Sequence, residues 1–365
     1  MLQFNKLSLL LILAIFVGAC SSTNSDNETN FDRAAMLENY GNNIIVPAFE
    51  DMQEATNELK TAAQNFETER TVQQLENLQN QLKQTRLAWQ EVSPFQFGPA
   101  ESILLRASLN TYPVDTDKVQ NNVSSGDYSF GTIDSRDATG LPSLGYLLHG
   151  VGETQEEILT MYTADVDAEN RMTYLLGNIN FIKEKVDTAT EEWQSSGGDY
   201  IGMFLSEENA GTDVGSSLGM LINSYVKHYE RFLRDGKIGI PAGVRSAETP
   251  RPLAVEAYYA GYSVELASAN LQQVGRIFTG GDSRGLDDNL EELGTEDLSN
   301  EIQTQIDEAQ SSLDGLNDPL SQQIEENNDP VLTTYQEMQQ VVDLLKADMT
   351  SILGITITFQ DTDGD

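Results

Sequence analysis

The chain has 365 residues, with 58 Asp and Glu against 21 Lys and Arg, a formal charge of −37 at pH 7. Such an acidic surface repels phosphates and anionic headgroups, so nucleic acid is not an expected partner and the protein surface itself is not expected to hold a membrane. The single cysteine, Cys20, excludes disulfides within the chain and thiolate-rich metal sites.

Residues 1–19 read as an export signal. Lys6 is the only charge there, and Leu7 to Ala19 is an apolar run too short to cross a bilayer. It ends Val17-Gly18-Ala19-Cys20, which resembles a bacterial lipobox; in that signal the cysteine is cleaved at its amino side and lipidated. Cys20 is therefore the expected lipidation site, and the membrane an expected partner through that anchor. Residues 20–30 contain Ser, Thr, Asn, Asp and Glu after the cysteine and read as a flexible tether.

From about Phe31 the pattern is helical. Ile45, Phe49, Met52, Thr56, Leu59, Ala63 and Phe66 step by three and four, with Pro47 marking a start or a kink. A second stripe, Leu75, Leu78, Leu82, Thr85 and Trp89, predicts a helix over about 71–92. Pro94 and Pro99 break the chain beyond it. Asn121 to Thr139 is rich in Ser, Gly and Asp and reads as loop. Gly140 to Gly150 reads as a short apolar helix, with Leu141, Leu144 and Leu148 on one face and Pro142 near its start. A short amphipathic helix follows over about 153–162.

A break near Asp165–Asp167 divides the chain into expected halves, 31–165 and 166–365. Met172, Leu175, Ile179, Ile182, Val186 and Trp193 make the next long stripe, closed by Gly197-Gly198. Helices are predicted over about 214–232 and 252–278. Residues 281–300 read as an acidic loop with a short helix. Two more helices, about 298–313 and 331–353, precede a tail at 354–359 that alternates as a strand would. Asp361, Asp363 and Asp365 superficially resemble the start of a calcium loop. The chain ends before the distal glutamate, and a solvated acidic tail is expected.

Several of these segments together resemble the imelysin family, the M75 peptidase-like proteins of bacterial envelopes. Trp89 leading to Phe97-Gly98-Pro99 resembles that family's helical tryptophan before an aromatic–glycine turn. Asn110 to Asp115, Lys237 to Gly243 and Arg276 to Gly280 resemble further segments in the same order, the second of them a turn in that family, and the C-terminus is similar as well. Gly140, Tyr146, Leu147, Leu148 and Gly150 match the signature element. Its histidine position, however, holds Pro142, and its glutamate position holds Gly145.

The resemblance implies an all-α fold of two helical-bundle halves, duplicated and packed face to face, with a short strand-like C-terminal tail. It also implies a pocket near Trp89, Phe97, Glu101, Asp115, Pro142, Gly145 and Tyr146. In the family motif, histidine and glutamate three residues apart share a helix face and supply metal-binding and base chemistry; Pro142 and Gly145 supply neither. The two histidines of the chain, His149 before a helix-closing glycine and His228 on an apolar stripe, form no zinc motif and no nucleophile–base set. No catalytic, metal or cofactor-binding residue is expected from the motif, and no cofactor is assigned. The expected function is a lipid-anchored, non-catalytic binding component related to iron or haem uptake, with iron- or haem-uptake proteins as partners. The alternative is an M75-type metallopeptidase with ligands outside the degenerate motif.

Overall fold

The apolar stripes of the sequence become helices, which the computed structural model describes over residues 31–360. The export signal, Cys20, the tether and the acidic run after Gln360 lie outside the described residues. Arg33–Asn39 opens the fold, with Asp32 accepting the Ala35 N–H at 3.0 Å as its cap. Tyr40–Ile45 widens into π geometry just before Pro47. A proline has no N–H to return to the preceding turn, and the widening falls where that bond is missing.

Helix α1 (Val46–Thr68) buries Phe49, Met52, Leu59, Ala63 and Phe66 on one face. Helix α2 (Val72–Val92), capped by Thr71, packs along it. Helix α3 (Gly140–His149) packs on α2, and the long helix α4 (Ala168–Trp193) packs on both α1 and α3. A second group follows. Helix α5 (Ser217–Lys227) runs directly into a π-helical segment, His228–Gly239. Helix α6 (Ser263–Thr279) packs on α7 (Glu296–Asp314), α7 on α8 (Asp329–Asp343), and α8 on the π segment. Helix α6 also packs on α2, which joins the groups. Buried side chains form one continuous apolar core across both. Each fully buried Leu or Phe contributes about 1.5–3 kcal/mol relative to exposure, so this shared core dominates the stabilisation.

The fold is all-α, and several boundaries differ from the sequence reading. The division near residue 165 passes between α3 and α4, which pack together, so it does not part the two packed groups. Residues 237–243 are not a turn. The helix runs on through Ala242 and ends where Gly243 adopts φ +93°. The expected helix over 252–278 begins only at Ser263, because Ala257 and Gly261 take left-handed backbone, φ +57° and +71°. Residues 116–125, partly assigned to loop, form a helix.

The C-terminal tail is not a strand: residues 355–358 carry no regular secondary structure. Its pairing partner is a side chain. Asn223 Nδ2 donates to the Thr356 carbonyl at 3.0 Å, and Asn223 Oδ1 accepts the Thr358 N–H at 2.8 Å. One amide satisfies the two backbone groups that a neighbouring strand would have paired. Among the described residues, no helix is long and apolar enough to cross a membrane.

Candidate functional site

Helix α2 ends in a turn at Ser93 and Pro94, and the chain folds back through two short helices, Pro99–Ser102 and Leu105–Leu109. These, the end of α5, the π segment and the C-terminal tail enclose a cavity of about 820 Å³. That volume suits a medium-sized organic ligand. The π segment decides which residues face it. Lys227, Arg231, Gly236 and Ile240 line the cavity, as do His228, Phe232 and Lys237. These steps of four and five match the wide turn of a π-helix, whereas an α-helix would carry the later positions off the face. At the rim, Leu104 has left-handed backbone, φ +54°, and is more than half exposed.

Charge sets this cavity apart from the rest of the chain. Among the described residues its lining holds Arg106, Lys227, Arg231, Lys237 and Arg251 against one carboxylate, Glu101. That inverts the balance of a chain with almost three acids per base. Arg106 is held entirely by neutral groups. It donates to the Ser93 carbonyl and to His228 Nδ1, the latter at 2.8 Å, and its guanidinium lies 3.9 Å from the Phe232 ring centroid. Burial pulls its pKa down to about 10, which leaves it protonated at neutral pH. His228 Nε2 is bonded to Asn270 Oδ1 at 2.7 Å, which makes that nitrogen the protonated one. Burial, and then Arg106, holds the imidazole well below its ordinary pKa, so His228 is neutral.

Lys237 donates to Glu256, and both are buried. Burial alone would raise the Glu256 carboxyl, but Lys237, the Asn110 amide at 2.8 Å and the charge of Arg86 hold it below the usual range. Burial pulls Lys237 down, and Glu256 offsets only part of that. Glu256 thus serves Lys237, while Arg106, Lys227, Arg231 and Arg251 have no carboxylate at ion-pairing distance among the described residues.

A second, smaller cavity of about 220 Å³ shares Tyr112 and Pro113 with the first and is lined by Arg86, Pro142 and Gly145. The Arg86 guanidinium, almost fully buried, donates to the Leu141 carbonyl at 2.8 Å and to the Tyr262 hydroxyl at 3.2 Å. A Cβ on Gly145 would sit 2.3 Å from one of its nitrogens. The cation therefore fills the space into which a glutamate at this position would project. The frame of α3 is intact: Asn178 accepts the Gly140 N–H at 2.8 Å and donates to its carbonyl at 3.1 Å. A transition metal does not fit these groups. A guanidinium has no lone pair to offer at neutral pH, and Pro142 and Gly145 have no side-chain donor. Among the described residues, no three His, Cys, Asp or Glu side chains converge.

Of the residues expected at the site, Trp89, Phe97 and Glu101 line the larger cavity, and Pro142 and Gly145 line the smaller one. Two lie at neither cavity. Asp115 accepts the Lys118 N–H at 2.9 Å and caps the helix Thr116–Ser125. The Tyr146 hydroxyl accepts from Gln120 Nε2 at 2.7 Å, and its ring packs 5.1 Å from that of Tyr259. His149 is mostly buried, and burial followed by the charge of Arg86 pulls it to about 4. The basic residues were missed because no motif marks them. They lie from residue 86 to 251 in sequence, and the one local signal for a shared face is Lys227 and Arg231, four residues apart.

The family model described as Imelysin, Peptidase M75, matches residues 45–347. A crystal structure described as an iron-regulated protein A precursor from Parabacteroides distasonis superposes with a TM-score of 0.72 at 17% identity, covering 88% of this chain and 95% of that one. An imelysin-like protein from Psychrobacter arcticum gives 0.68 at 18% identity, covering 90% and 97%. At such identities the likeness speaks to fold alone. No curated protein matches.

Proposed function

Because this chain belongs to the imelysin family, we propose that it is a lipid-anchored envelope protein that binds a ligand without transforming it, in the service of iron or haem uptake. The observation that carries the non-catalytic part is Arg86. Its guanidinium occupies the place beside Gly145 where the family signature has a carboxylate. A fixed cation there repels a metal dication and cannot act as the base that activates water. The larger cavity supplies the room for a ligand. The iron connection is supported by the family and by the neighbour whose description calls it iron-regulated.

Purified mature protein is expected to hold no stoichiometric zinc or iron by elemental analysis, and to hydrolyse no peptide in a chelator-sensitive way. Chelator-sensitive hydrolysis lost on changing His149 or His228 would overturn the reading in favour of a metallopeptidase. The anchor is tested separately. Cys20→Ser should abolish fatty-acid labelling and move the protein from the membrane to the soluble fraction; an equally membrane-bound variant would refute lipidation.

A further inference from the structure

Among the described residues, four cations at the larger cavity have no carboxylate at ion-pairing distance. Arg106 and Arg231 are half-buried, Lys227 likewise, and Arg251 stands at the exposed rim. Arg106 makes only neutral contacts, and Arg231 donates to the Gln360 carbonyl beside the Phe359 ring. Lys227 and Arg251 make no side-chain hydrogen bond to any described residue. Withdrawing cations from water without a counter-charge is unfavourable. A chain so rich in carboxylates has many to place here, and among its described residues Glu101 is the one it places. The wall also holds N–H donors without an acceptor: Gln96 Nε2, Arg106 Nε and Arg231 Nε are buried and unpaired. Trp89, Phe97, Phe232 and Phe359 supply apolar surface between the charges.

We propose that this cavity binds an organic anion carrying two or more carboxylate or phosphate groups on an apolar, partly aromatic frame. The proposal rests on the binding-component reading and names the class of ligand. Arg106 is the natural anchor. Its planar fork suits a carboxylate or phosphate, and the Phe232 ring and His228 already fix its orientation. Lys227 and Arg231 lie one π turn apart along the same face and offer a second contact point. The acidic exterior makes the selection sharper, because an anion meets attraction only inside the cavity.

The test compares one frame in two charge states, by calorimetry on the mature chain. The probes are 1,3,5-benzenetricarboxylate, its neutral trimethyl ester, and citrate with and without ferric iron. The carboxylates are expected to bind and the ester not to. Lys227→Gln and Arg251→Gln should each weaken carboxylate binding by about fivefold, the scale of one partly screened charge pair. Lys185→Gln, which lines neither cavity, should bind as the parent chain does. Arg106→Lys keeps the charge but loses the fork and should weaken binding more than either. Its melting temperature, taken alongside, separates lost recognition from lost folding.

Ester binding equal to that of the acid, no heat with any carboxylate, or unchanged affinity in both Lys227→Gln and Arg251→Gln would each overturn the proposal. Tighter binding of ferric than of metal-free citrate identifies a chelate as the preferred form, and equal binding identifies the free acid; both support an anion site. If a neutral iron chelate bound with affinity untouched by these variants, the anion assignment would fall while the binding component stood. Chelator-sensitive hydrolysis would remove the binding-component reading instead.

Discussion

Gly145 and Arg86 form a coupled pair, and the coupling is measurable. Arg86→Ala removes two hydrogen bonds from a charged donor and one cation that compensates Glu256. Hydrogen bonds to charged groups are each worth about 1.5–3 kcal/mol, so a loss of roughly 3 kcal/mol is expected in denaturant titration. Gly145→Ala alone drives a Cβ against the guanidinium and should cost about 2 kcal/mol, within the range for overpacking. In the Arg86→Ala background that cost should fall by more than half, because the obstacle has gone. Additive costs in the double-mutant cycle would show that the two do not share the space.

His149 gives the residue scale a pH signature. Its folded pKa, about 4, lies below the ordinary value of 6.5. Between those values the unfolded chain takes up a proton that the folded chain refuses, so this residue costs stability as pH falls from about 6.5 to 4. Asp287 acts in the opposite sense. Burial raises its carboxyl to about 6, so it favours the folded state as pH falls through 6. The clean measurement is therefore a difference: His149→Gln should lose less stability than the parent between pH 6.5 and 4. An identical pH slope would show that His149 does not titrate in this way.

At the scale of elements, the segment His228–Gly239 matters most. Its apolar stripe is visible in the sequence up to Phe232 and then falls out of α register. The turn expected at 237–243 rests on the family resemblance of that segment, and the helix in fact continues through it with a wider turn. The tail departs from expectation as well. Alternation at Ile355, Ile357 and Phe359 is a true strand pattern, but among the described residues no strand lies beside it and Asn223 takes that role. Asn223→Ala should therefore cost about 1–3 kcal/mol and speed amide exchange at Thr358 by at least tenfold. Unchanged protection at Thr358 would show that the tail is held by its apolar side chains alone.

At the scale of the whole molecule, the two helical groups are tied inside the α2–α6 contact by several polar contacts, of which the cluster around Asn270 is fully buried. Asn270, on α6, donates to the Gln90 carbonyl and to Ser93 Oγ, both at 2.9 Å, and accepts from His228. Asn270→Ala removes these bonds and leaves His228 Nε2 buried without an acceptor, while Ser93 Oγ still donates to the Gln90 carbonyl, with an expected cost of about 2–3 kcal/mol. The continuous core predicts that the groups still unfold together, so calorimetry should show one transition moved to lower temperature. A separate early transition would show that the groups are independently stable.

The sequence by itself determined the all-helical class, the principal helices and the emptiness of the signature. Each depends on local spacing or on the identity of one residue: an apolar stripe repeats every turn, and Pro142 and Gly145 have no donor wherever they sit. Tertiary structure alone decided what replaced the signature and where the basic residues met. Arg86 comes from a different helix to fill the space beside Gly145. Arg106, the neighbouring pair Lys227 and Arg231, and Arg251 come from three separate segments to surround one cavity in an otherwise acidic chain. Such convergence follows from helix packing and from a π segment's wide turn, neither of which leaves a contiguous pattern in the chain.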